Sequence, residues 1–415
     1  IVEVTEYHIP QADAVVNPKQ KDCDYPFEGL CGAGVVYKFV ITLYDRFQIP
    51  VTETYDLIQY IAIATVCDVM DLVDENRIIV KRGLEQLRNT NNYGLQALID
   101  VNSLNSNQLS AYHLGFVIGP CLNASGRLES AKLGLAMLLS ENLTDALELA
   151  LELKHLNDLR KEMTQKGTQE AIDLVESGQY QDDLILVVYL PECHESLAGI
   201  IAGRLKERYY KPTIVLTKGE HGVKGSARSV PEYNMYEELT KCKDLLLKFG
   251  GHPMAAGLSL EEANIDKLRK ALNHNTTLTK ETLVQKIAID IVLPLGYVKE
   301  EMIDELELLE PFGKGNQKPV FAERNLKIKK ANVIGKNSNV VKMQVVNAYG
   351  REMEALYFGD VTLFKEYVCN KYSEIDYNNI MLGKQNDVQL SVLYYPSVNE
   401  YAGRRTVQII IQSYQ

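Results

Sequence analysis

Apolar positions along residues 1–140 alternate between two patterns. Val2–Thr5 and Ala14–Val16 are short apolar runs typical of buried strands, whereas Val35–Tyr44 and Tyr55–Asp68 carry apolar residues at helical spacing. Strands that are covered by helices on both faces give this mixture. We therefore predict an α/β domain for residues 1–140.

Residues 141–178 follow a single helical pattern instead. Apolar side chains recur every three or four positions among Glu, Lys and Asp, at Leu143, Leu147, Ala150, Leu153, Leu156, Leu159 and Met163. The pattern predicts one amphipathic helix of about 30 residues, roughly 45 Å long at the usual helical rise. We expect this helix to end at Gly178 and to connect two domains.

The rest of the chain divides into three parts. Residues 179–275 predict a second α/β domain, with strands at Leu184–Leu190, Thr213–Thr217 and Val223–Ser229 and a helix at Ala198–Tyr210. Residues 276–318 form a polar, acidic connecting segment that ends in a turn-rich stretch at Glu310–Asn316. Residues 319–415 predict short strands at Leu326–Ile334, Val340–Val346, Glu352–Phe358, Val388–Tyr395 and Thr406–Ile411. Five such strands suit a small OB-type barrel, a common binder of single-stranded nucleic acid.

Composition narrows the class of protein only a little. Seven scattered cysteines without a C-x-x-C pair favour reduced thiols and a cytoplasmic protein. The sequence has no run of eighteen apolar residues and therefore predicts no membrane span, so we expect no membrane partner. The first residues show neither a secretory signal nor an initiator Met, and we expect a further N-terminal portion upstream. A net charge of −11 argues against general adhesion to nucleic acid but leaves room for a local basic channel.

The strongest candidate for chemistry lies between residues 224 and 257. Ser226 and Arg228 stand among small residues in Lys224–Ser229, and His252 follows two glycines in Gly250–Gly257. Glycines let a backbone approach a ligand closely, while the arginine fork and the serine hydroxyl match phosphate oxygens. Two tight turns in an ordinary sheet are the plainer interpretation of the same residues. The pair of motifs favours a phosphate pocket, and with it nucleotides or nucleic acid.

Several motifs together resemble a known family. They follow one another in order along the whole chain, as Asn17–Gln20, Tyr25–Phe27, Leu30–Val35, Asp68, Glu75–Arg77, Gly119–Arg127, Lys224–Ser229, Gly250–Gly257 and Glu310–Phe321. This series resembles bacterial RecJ, the single-strand-specific 5′→3′ DNA exonucleases of the DHH phosphoesterase superfamily. The resemblance implies the C-terminal part of a DHH phosphoesterase domain in residues 1–140, a DHH-associated nucleic-acid-binding domain in residues 179–275 and a C-terminal OB-type domain.

The resemblance also implies roles for particular residues. Manganese or magnesium ions would activate water, with Asp68 and His8 as metal ligands. The implied catalytic residues are His8, Asp68 and His252, and His252 would lie close to the scissile region. The implied contacts to the strand are Asn123, Arg127, Ser226, Arg228 and His252, with Ser226 and Arg228 at the 5′-terminal phosphate. The implied partners are single-stranded DNA with a 5′ phosphate and a helicase or a single-strand-binding protein.

The sequence departs from the family pattern at two places. Glu6-Tyr7-His8 stands where the family has Asp-His-His, and a tyrosine replaces the central imidazole ligand. The upstream aspartate motifs of the family do not occur in this sequence, so we expect an incomplete metal site. Cys121 stands where the family has an arginine that contacts phosphate, and cysteine cannot make such a bidentate contact. These departures predict that the chain binds a strand but does not cut it.

The other candidate residues have plainer alternatives. Arg127 could hold the start of a helix through its backbone instead of binding DNA, and His194 is expected in a turn before a helix at Ser196. Tyr394, Tyr395 and Tyr401 could stack on bases or could lie half-buried in strands. Two other functions stay open. One is a non-catalytic single-strand nucleic-acid-binding member of the superfamily, and the other is a phosphodiesterase of oligonucleotides or cyclic dinucleotides.

Overall fold

The computed structural model describes residues 11–128, 130–219, 222–335, 338–401 and 403–415. The chain divides into two compact units. The first comprises residues to Asp68 together with Arg82–Lys286, and the second comprises Val69–Lys81 and Ile287–Gln415. Among the described helices, none combines the length and the apolar character that crossing a membrane would require.

The N-terminal part of the first unit is helical. Its helices are α1 (Gly32–Arg46), α2 (Ile58–Cys67), α3 (Asp74–Leu87, which begins in the second unit), α4 (Tyr93–Val101), α5 (Ala111–His113), α6 (Gly119–Leu128) and α7 (Lys132–Leu138). A π-helical stretch at Leu114–Ile118 joins α5 to α6. Helices α1 and α2, the latter entered through a 3₁₀ turn at Val51–Leu57, confirm two predicted helices.

The strand predicted at Ala14–Val16 is wrong. These residues lie in an irregular segment, and Val16 is 63% exposed. Among residues 11–128 and 130–140 no strand is available to pair with them, so the apolar run cannot form a sheet. The strand predicted at Val2–Thr5 lies outside the described residues. The α/β class holds for the chain as a whole. Residues 11–128 and 130–140, however, form helices and no strand.

The long helix is confirmed as α8 (Leu143–Glu176), which has 34 residues. It begins where the Asn142 side chain accepts a hydrogen bond from the Asp145 amide at 3.0 Å, and Asn is a favoured residue at this capping position. Its buried residues recur at helical spacing, at Ala146, Ala150, Leu153, Leu156, Asn157, Thr164, Gly167 and Ala171. The chain turns away at Gly178, whose φ of 95° suits a residue without a side chain.

A five-stranded sheet follows α8 in the same unit. The elements are β1 (Leu186–Tyr189), α9 (Ala198–Tyr209), β2 (Thr213–Gly219), β3 (Gly222–Arg228), α10 (Met235–Lys241), β4 (Lys248–His252), β5 (Ala255–Leu260) and α11 (Ile265–Asn275). The strand order is β1-β2-β3-β5-β4, with β1 parallel to β2 and the other pairs antiparallel. The helix and the three strands predicted between residues 184 and 229 are confirmed.

The second unit contains a barrel-like sheet. Its elements are β6 (Ile291–Val292), α12 (Glu300–Glu307), β7 (Phe321–Ile334), β8 (Val340–Val346), β9 (Glu352–Tyr357), α13 (Val361–Lys371), α14 (Glu374–Leu382), β10 (Gln389–Tyr401) and β11 (Arg404–Tyr414). Strand pairing runs from β7 through β8, β9 and β11 to β10, and β10 pairs with β7 as well. All five predicted strands are confirmed, around a core that includes Leu326, Val345 and Ile409.

Candidate nucleic-acid interface

Strands β3, β5 and β4 bring the two candidate motifs side by side. Directly opposed residues of neighbouring strands point to the same side of a sheet. Three such rows cross the three strands, and they consist of Arg228–Ala255–His252, Ser226–Gly257–Gly250 and Lys224–Ser259–Lys248. These nine positions form one face, called the open face here. The structure therefore brings Ser226, Arg228 and His252 together on one side of the sheet, as the motifs predicted.

The open face has basic residues at its margins and small residues along its middle. Lys224 and Arg228 lie on β3, and Lys248 and His252 lie on β4, which is the edge strand. Between them β5 presents Ala255, Gly257 and Ser259. Since neighbouring strands are about 4.8 Å apart, β3 and β4 are separated by roughly 10 Å. The opposite face of these strands carries the buried Val223, Ala227, Ala256, Leu258 and Leu260, which explains why the polar residues point outward.

A groove of about 420 Å³ lies along this face. It is lined by Glu195, Ser196, Lys224, Gly225, Ser226, Lys248, Phe249, Gly257, Leu258 and Ser259. One wall carries an ion pair in which Lys224 Nζ lies 2.7 Å from Glu195 Oε2. Gly250 and Gly257 have no atom within 4 Å of the place where a side chain would begin. The floor of the groove is thus open at both glycines, and an extended phosphodiester backbone has room to lie on it.

The start of α9 closes one end of the phosphate pocket. A β-carbon built on Gly199, the second residue of α9, would lie 2.8 Å from Arg228 Nη2 and 3.4 Å from Ser226 Oγ. A 3₁₀ turn at Glu195–Leu197 runs directly into α9, and its amides are already bonded, since the Leu197 amide donates to the His194 oxygen and the Ala198 amide donates to the Glu195 oxygen. Arg228 Nη1 donates to the backbone oxygen of Ala227 at 2.7 Å, which fixes the guanidinium. A guanidinium and a hydroxyl therefore converge on the first turn of α9 at Gly199.

Electrostatics at this point favour an anion as well. Burial lowers the pKa of the Arg228 guanidinium, and the positive charge of Arg127 lowers it further. Both effects disfavour the charged guanidinium. A phosphate that binds Arg228 would therefore stabilise a charge that the protein alone disfavours. This combination of a half-buried arginine, a second cation and open space is typical of a phosphate site.

His252 occupies the far margin of the open face. It is the last residue of β4, its side chain is exposed, and its Nδ1 accepts a hydrogen bond from the Met254 amide at 3.3 Å. The row through Ala255 places it on the same side as Arg228, two strands away. That hydrogen bond directs Nδ1 toward the backbone, so Nε2 is the nitrogen that faces a ligand.

Arg127 and Asn123 come from α6, one helical turn apart, and both are exposed. Arg127 Nη1 donates to the backbone oxygen of Ser196 at 3.0 Å. Ser196 belongs to the turn before α9, where His194 Nδ1 lies 2.7 Å from the Ser196 hydroxyl. Arg127 therefore binds the backbone at the start of a helix, as the alternative predicted. The turn predicted for His194 is confirmed as well. The same contact brings a cation beside the phosphate pocket.

Cys121 does not lie where a strand would contact it. Its side chain is fully buried, and Asn157 Nδ2 of α8 donates to its sulfur at 3.4 Å. Burial raises the pKa of this thiol. A thiol in this position offers a strand no contact, and the weakened phosphate binding expected at this spot stays a prediction.

The described residues do not form a metal centre by themselves. Asp68 is exposed just after α2, and its amide donates to the Ala64 oxygen at 2.9 Å. Within the described ranges, no three His, Cys, Asp or Glu side chains lie close enough together to hold an ion. His8 and Glu6 lie outside those ranges. The metal roles of Asp68 and His8 stay predictions, and no hydrolytic step follows from the described residues.

The tyrosines of the second unit differ from one another. Tyr394 is fully buried, and its hydroxyl donates to the Leu293 oxygen at 2.6 Å, so it cannot stack on a base. Tyr395 is partly exposed, and Lys318 Nζ lies 4.6 Å from the centre of its ring. The Tyr401 side chain lies outside the described residues. Tyr395 is thus the tyrosine of β10 for which a stacking role stays a prediction.

Sequence reasoning missed two features of the interface. Gly199 was not singled out, because its contact with Arg228 depends on how α9 packs against β3. Lys248 was missed as well, because its importance depends on the pairing of β4 with β5. Strand register, which brings Lys248 opposite Ser259, cannot be obtained from composition or spacing.

Comparison with known proteins agrees with this architecture. The family model for the DHHA1 domain matches residues 182–277, and the model for the RecJ OB domain matches residues 289–413. The chain is 35% identical over 420 residues to the single-stranded-DNA-specific exonuclease RecJ of Bacillus subtilis, covering 99% of this chain and 50% of the relative. It is 32% identical over 436 residues to the exonuclease of the same name from Salmonella typhimurium, covering 99% and 72%.

Solved structures give the same picture for the fold. A crystal structure of RecJ from Thermus thermophilus in complex with Mg²⁺ matches with a TM-score of 0.76 and 24% identity, over 94% of this chain and 57% of that chain. A structure of exonuclease RecJ bound to manganese matches with a TM-score of 0.55 and 28% identity, over 65% and 66%. The chain belongs to the RecJ family. It spans half the length of its Bacillus subtilis relative.

Proposed function

We propose that this protein is a single-stranded-DNA-specific exonuclease that works in the 5′→3′ direction during recombination and repair. The chain as given, for which we expect an incomplete metal site, supplies the grip on the strand, in which Ser226 and Arg228 hold the 5′-terminal phosphate beside the first turn of α9. The observation that carries the proposal is the convergence of Arg228 and Ser226 on Gly199. A pocket built for a terminal phosphate explains why cleavage would start at a 5′ end.

The open face would carry the strand beyond its first phosphate. Lys224 and Lys248 lie on the two margins of the groove, and the glycine floor admits a sugar-phosphate backbone without side-chain obstruction. His252 would lie near the scissile bond, while Asn123 and Arg127 would contact neighbouring phosphates. A net charge of −11 over the whole chain would restrict binding to this local basic surface.

Hydrolysis would require divalent metal. Relatives of known structure contain Mg²⁺ or Mn²⁺, and such ions supply an activated water and stabilise the departing oxygen. The proposal keeps Asp68 and His8 as ligands. It also includes a cytoplasmic location and a helicase or single-strand-binding protein as partner. The chain would divide into three domains and two connecting segments, with boundaries after residues 140, 178, 275 and 318.

A second candidate is a binding protein that has lost catalysis. Glu6-Tyr7-His8 in place of the family triplet favours it, since a tyrosine is a poor substitute for a metal-binding imidazole. The phosphodiesterase of short or cyclic substrates is less favoured, because such enzymes usually end after the second α/β domain, whereas this chain continues into the OB domain matched over residues 289–413.

One experiment separates these candidates. The purified protein is mixed with 5′-phosphorylated single-stranded DNA, 5′-hydroxyl single-stranded DNA or duplex DNA, each with manganese or with a chelator. Manganese-dependent release of nucleotides from the phosphorylated single strand supports the exonuclease. Binding of that strand without release, in manganese and chelator alike, supports the non-catalytic protein. Equal affinity for duplex and single strand contradicts both.

A further inference from the structure

Glu195 brings a carboxylate into the groove that we propose for the strand. Among the ten residues that line the groove, Glu195 is the acidic one. Its Oε2 lies 2.7 Å from Nζ of Lys224, and both side chains are about half exposed. An ion pair that is this exposed adds little to the stability of a fold. Stability therefore does not account for a carboxylate at a place where phosphates are expected.

The backbone around Glu195 holds the carboxylate in this position. Glu195 begins the 3₁₀ turn that runs into α9, and its backbone oxygen accepts a hydrogen bond from the Ala198 amide. His194 precedes the turn, and its Nδ1 accepts from the Ser196 amide at 3.3 Å. Because both ends of the turn are fixed by hydrogen bonds, the carboxylate lies in the groove before a strand arrives.

The two lysines of the groove are not equivalent as a result. Lys224 and Lys248 lie in the same row across β3, β5 and β4. Lys224 has Glu195 as a counter-ion, whereas Lys248 forms no ion pair with a carboxylate of the residues that the structure describes. A phosphate that approaches Lys224 must displace the carboxylate or share the ammonium group with it, and the two anions repel each other.

We propose that Glu195 competes with an internal phosphate of the strand for Lys224 and so limits the hold of the groove on single-stranded DNA. This inference rests on the proposed function and deepens it. Lys224 lies four residues from Arg228 along β3, roughly 13 Å at the usual rise of a strand, so it would meet a phosphate other than the terminal one. An exonuclease must advance its strand after each cleavage, and a weaker hold on the interior favours that movement.

Glu195→Gln tests the competition, because it removes the charge and keeps the size of the side chain. Affinity for 5′-hydroxyl oligothymidylate, measured by fluorescence anisotropy with a chelator present, should rise by about fivefold, the upper range for an exposed ion pair. The dependence of log K on log salt should become steeper by about 0.7, the value for one more phosphate contact on a single strand. The 5′-phosphorylated strand should gain as much. The melting temperature should stay close to that of the unmodified protein.

Two further variants show whether the gain acts through Lys224. When Lys224→Gln is added to Glu195→Gln, affinity and slope should return to those of the unmodified protein, because the pair carries no net charge. Glu192→Gln is the matched control, since it removes the same charge from the same loop but Glu192 does not line the groove. A gain that persists in the double variant, or an equal gain from Glu192→Gln, would overturn the inference.

The same measurements separate this inference from the proposed function. If the unmodified protein prefers 5′-phosphorylated strands and Glu195→Gln leaves affinity and slope unchanged, the inference fails and the proposed function stands. If Glu195→Gln gains affinity and slope but neither protein prefers a 5′ phosphate, the competition stands and the grip on the 5′ end fails. Absence of single-strand binding in both proteins contradicts both.

Discussion

Gly199 and Arg228 are in such close contact that any side chain at position 199 would meet the guanidinium. The distance from a β-carbon at Gly199 to Arg228 Nη2 would be 2.8 Å, below the limit that real contacts respect. The Arg228 guanidinium can therefore lie against the first turn of α9 in this position only because residue 199 is glycine. The proposed recognition of the 5′ phosphate depends on this position of the guanidinium.

Gly199→Ala should impair the phosphate pocket without unfolding the protein. The new methyl group meets the far end of a flexible arginine side chain, so the guanidinium moves and the backbone stays. Preference for 5′-phosphorylated over 5′-hydroxyl DNA should fall by about tenfold, as expected for one lost charged hydrogen bond. Gly203→Ala on the same helix is the control, since nothing lies within 4 Å of it. An equal loss in both variants, measured by fluorescence anisotropy, contradicts the pocket.

Gly257→Val should block the groove while the fold is kept. A side chain at this position enters open space on the open face, and valine suits a strand. Affinity for single-stranded DNA should fall for both kinds of 5′ end. Gly225→Val is the contrasting variant, because its side chain would point into the core, where a β-carbon meets Leu216 at 2.5 Å. That variant should lower the melting temperature. If Gly257→Val binds DNA normally, the strand does not follow the groove.

Cys121 should resist alkylation in the folded protein. It is fully buried, and burial raises the pKa of its thiol, so both access and thiolate fraction are low. Iodoacetamide at mildly alkaline pH should label it only after denaturation, whereas the partly exposed Cys23 should be labelled at once. Peptide mass mapping measures both. Labelling of Cys121 at the rate of Cys23 would place it at the surface instead.

Glu323 should make the second unit less stable as pH rises through its folded pKa. Burial raises that pKa, although the Leu295 amide and the Asn347 side chain donate to the carboxylate at 2.7 and 3.0 Å. A raised carboxyl pKa means that its contribution is fully present below the ordinary value of 4.5 and is lost above the folded value. Glu323→Gln does not titrate. Urea unfolding should therefore show the free energy of unfolding of the unmodified protein falling relative to that of the variant as pH rises above the ordinary carboxyl value of 4.5. The opposite trend contradicts the assignment.

Local patterns predicted most of the regular elements. α8 was recognisable because its apolar residues keep helical spacing over many turns, and β3 because small and polar residues alternate with Val223 and Ala227. Ala14–Val16 shows the limit of such patterns, since a strand exists only where a partner strand pairs with it. Cys121 and Tyr394 show another limit, because burial depends on which helices and strands pack together.

The motifs also identified Ser226, Arg228 and His252, but they could not show how these residues are arranged. That arrangement depends on the register of β3, β5 and β4 and on the approach of α9, which brings Gly199 beside Arg228 across 29 positions of sequence.

The most direct test of the account is the affinity of Arg228→Ala for two strands that differ only at the 5′ end. The account predicts that affinity for 5′-phosphorylated single-stranded DNA falls by about tenfold or more, because a charged contact to the terminal phosphate is lost. Affinity for the 5′-hydroxyl strand should change much less. An equal loss for the two strands would contradict the claim that Arg228 holds the 5′ phosphate.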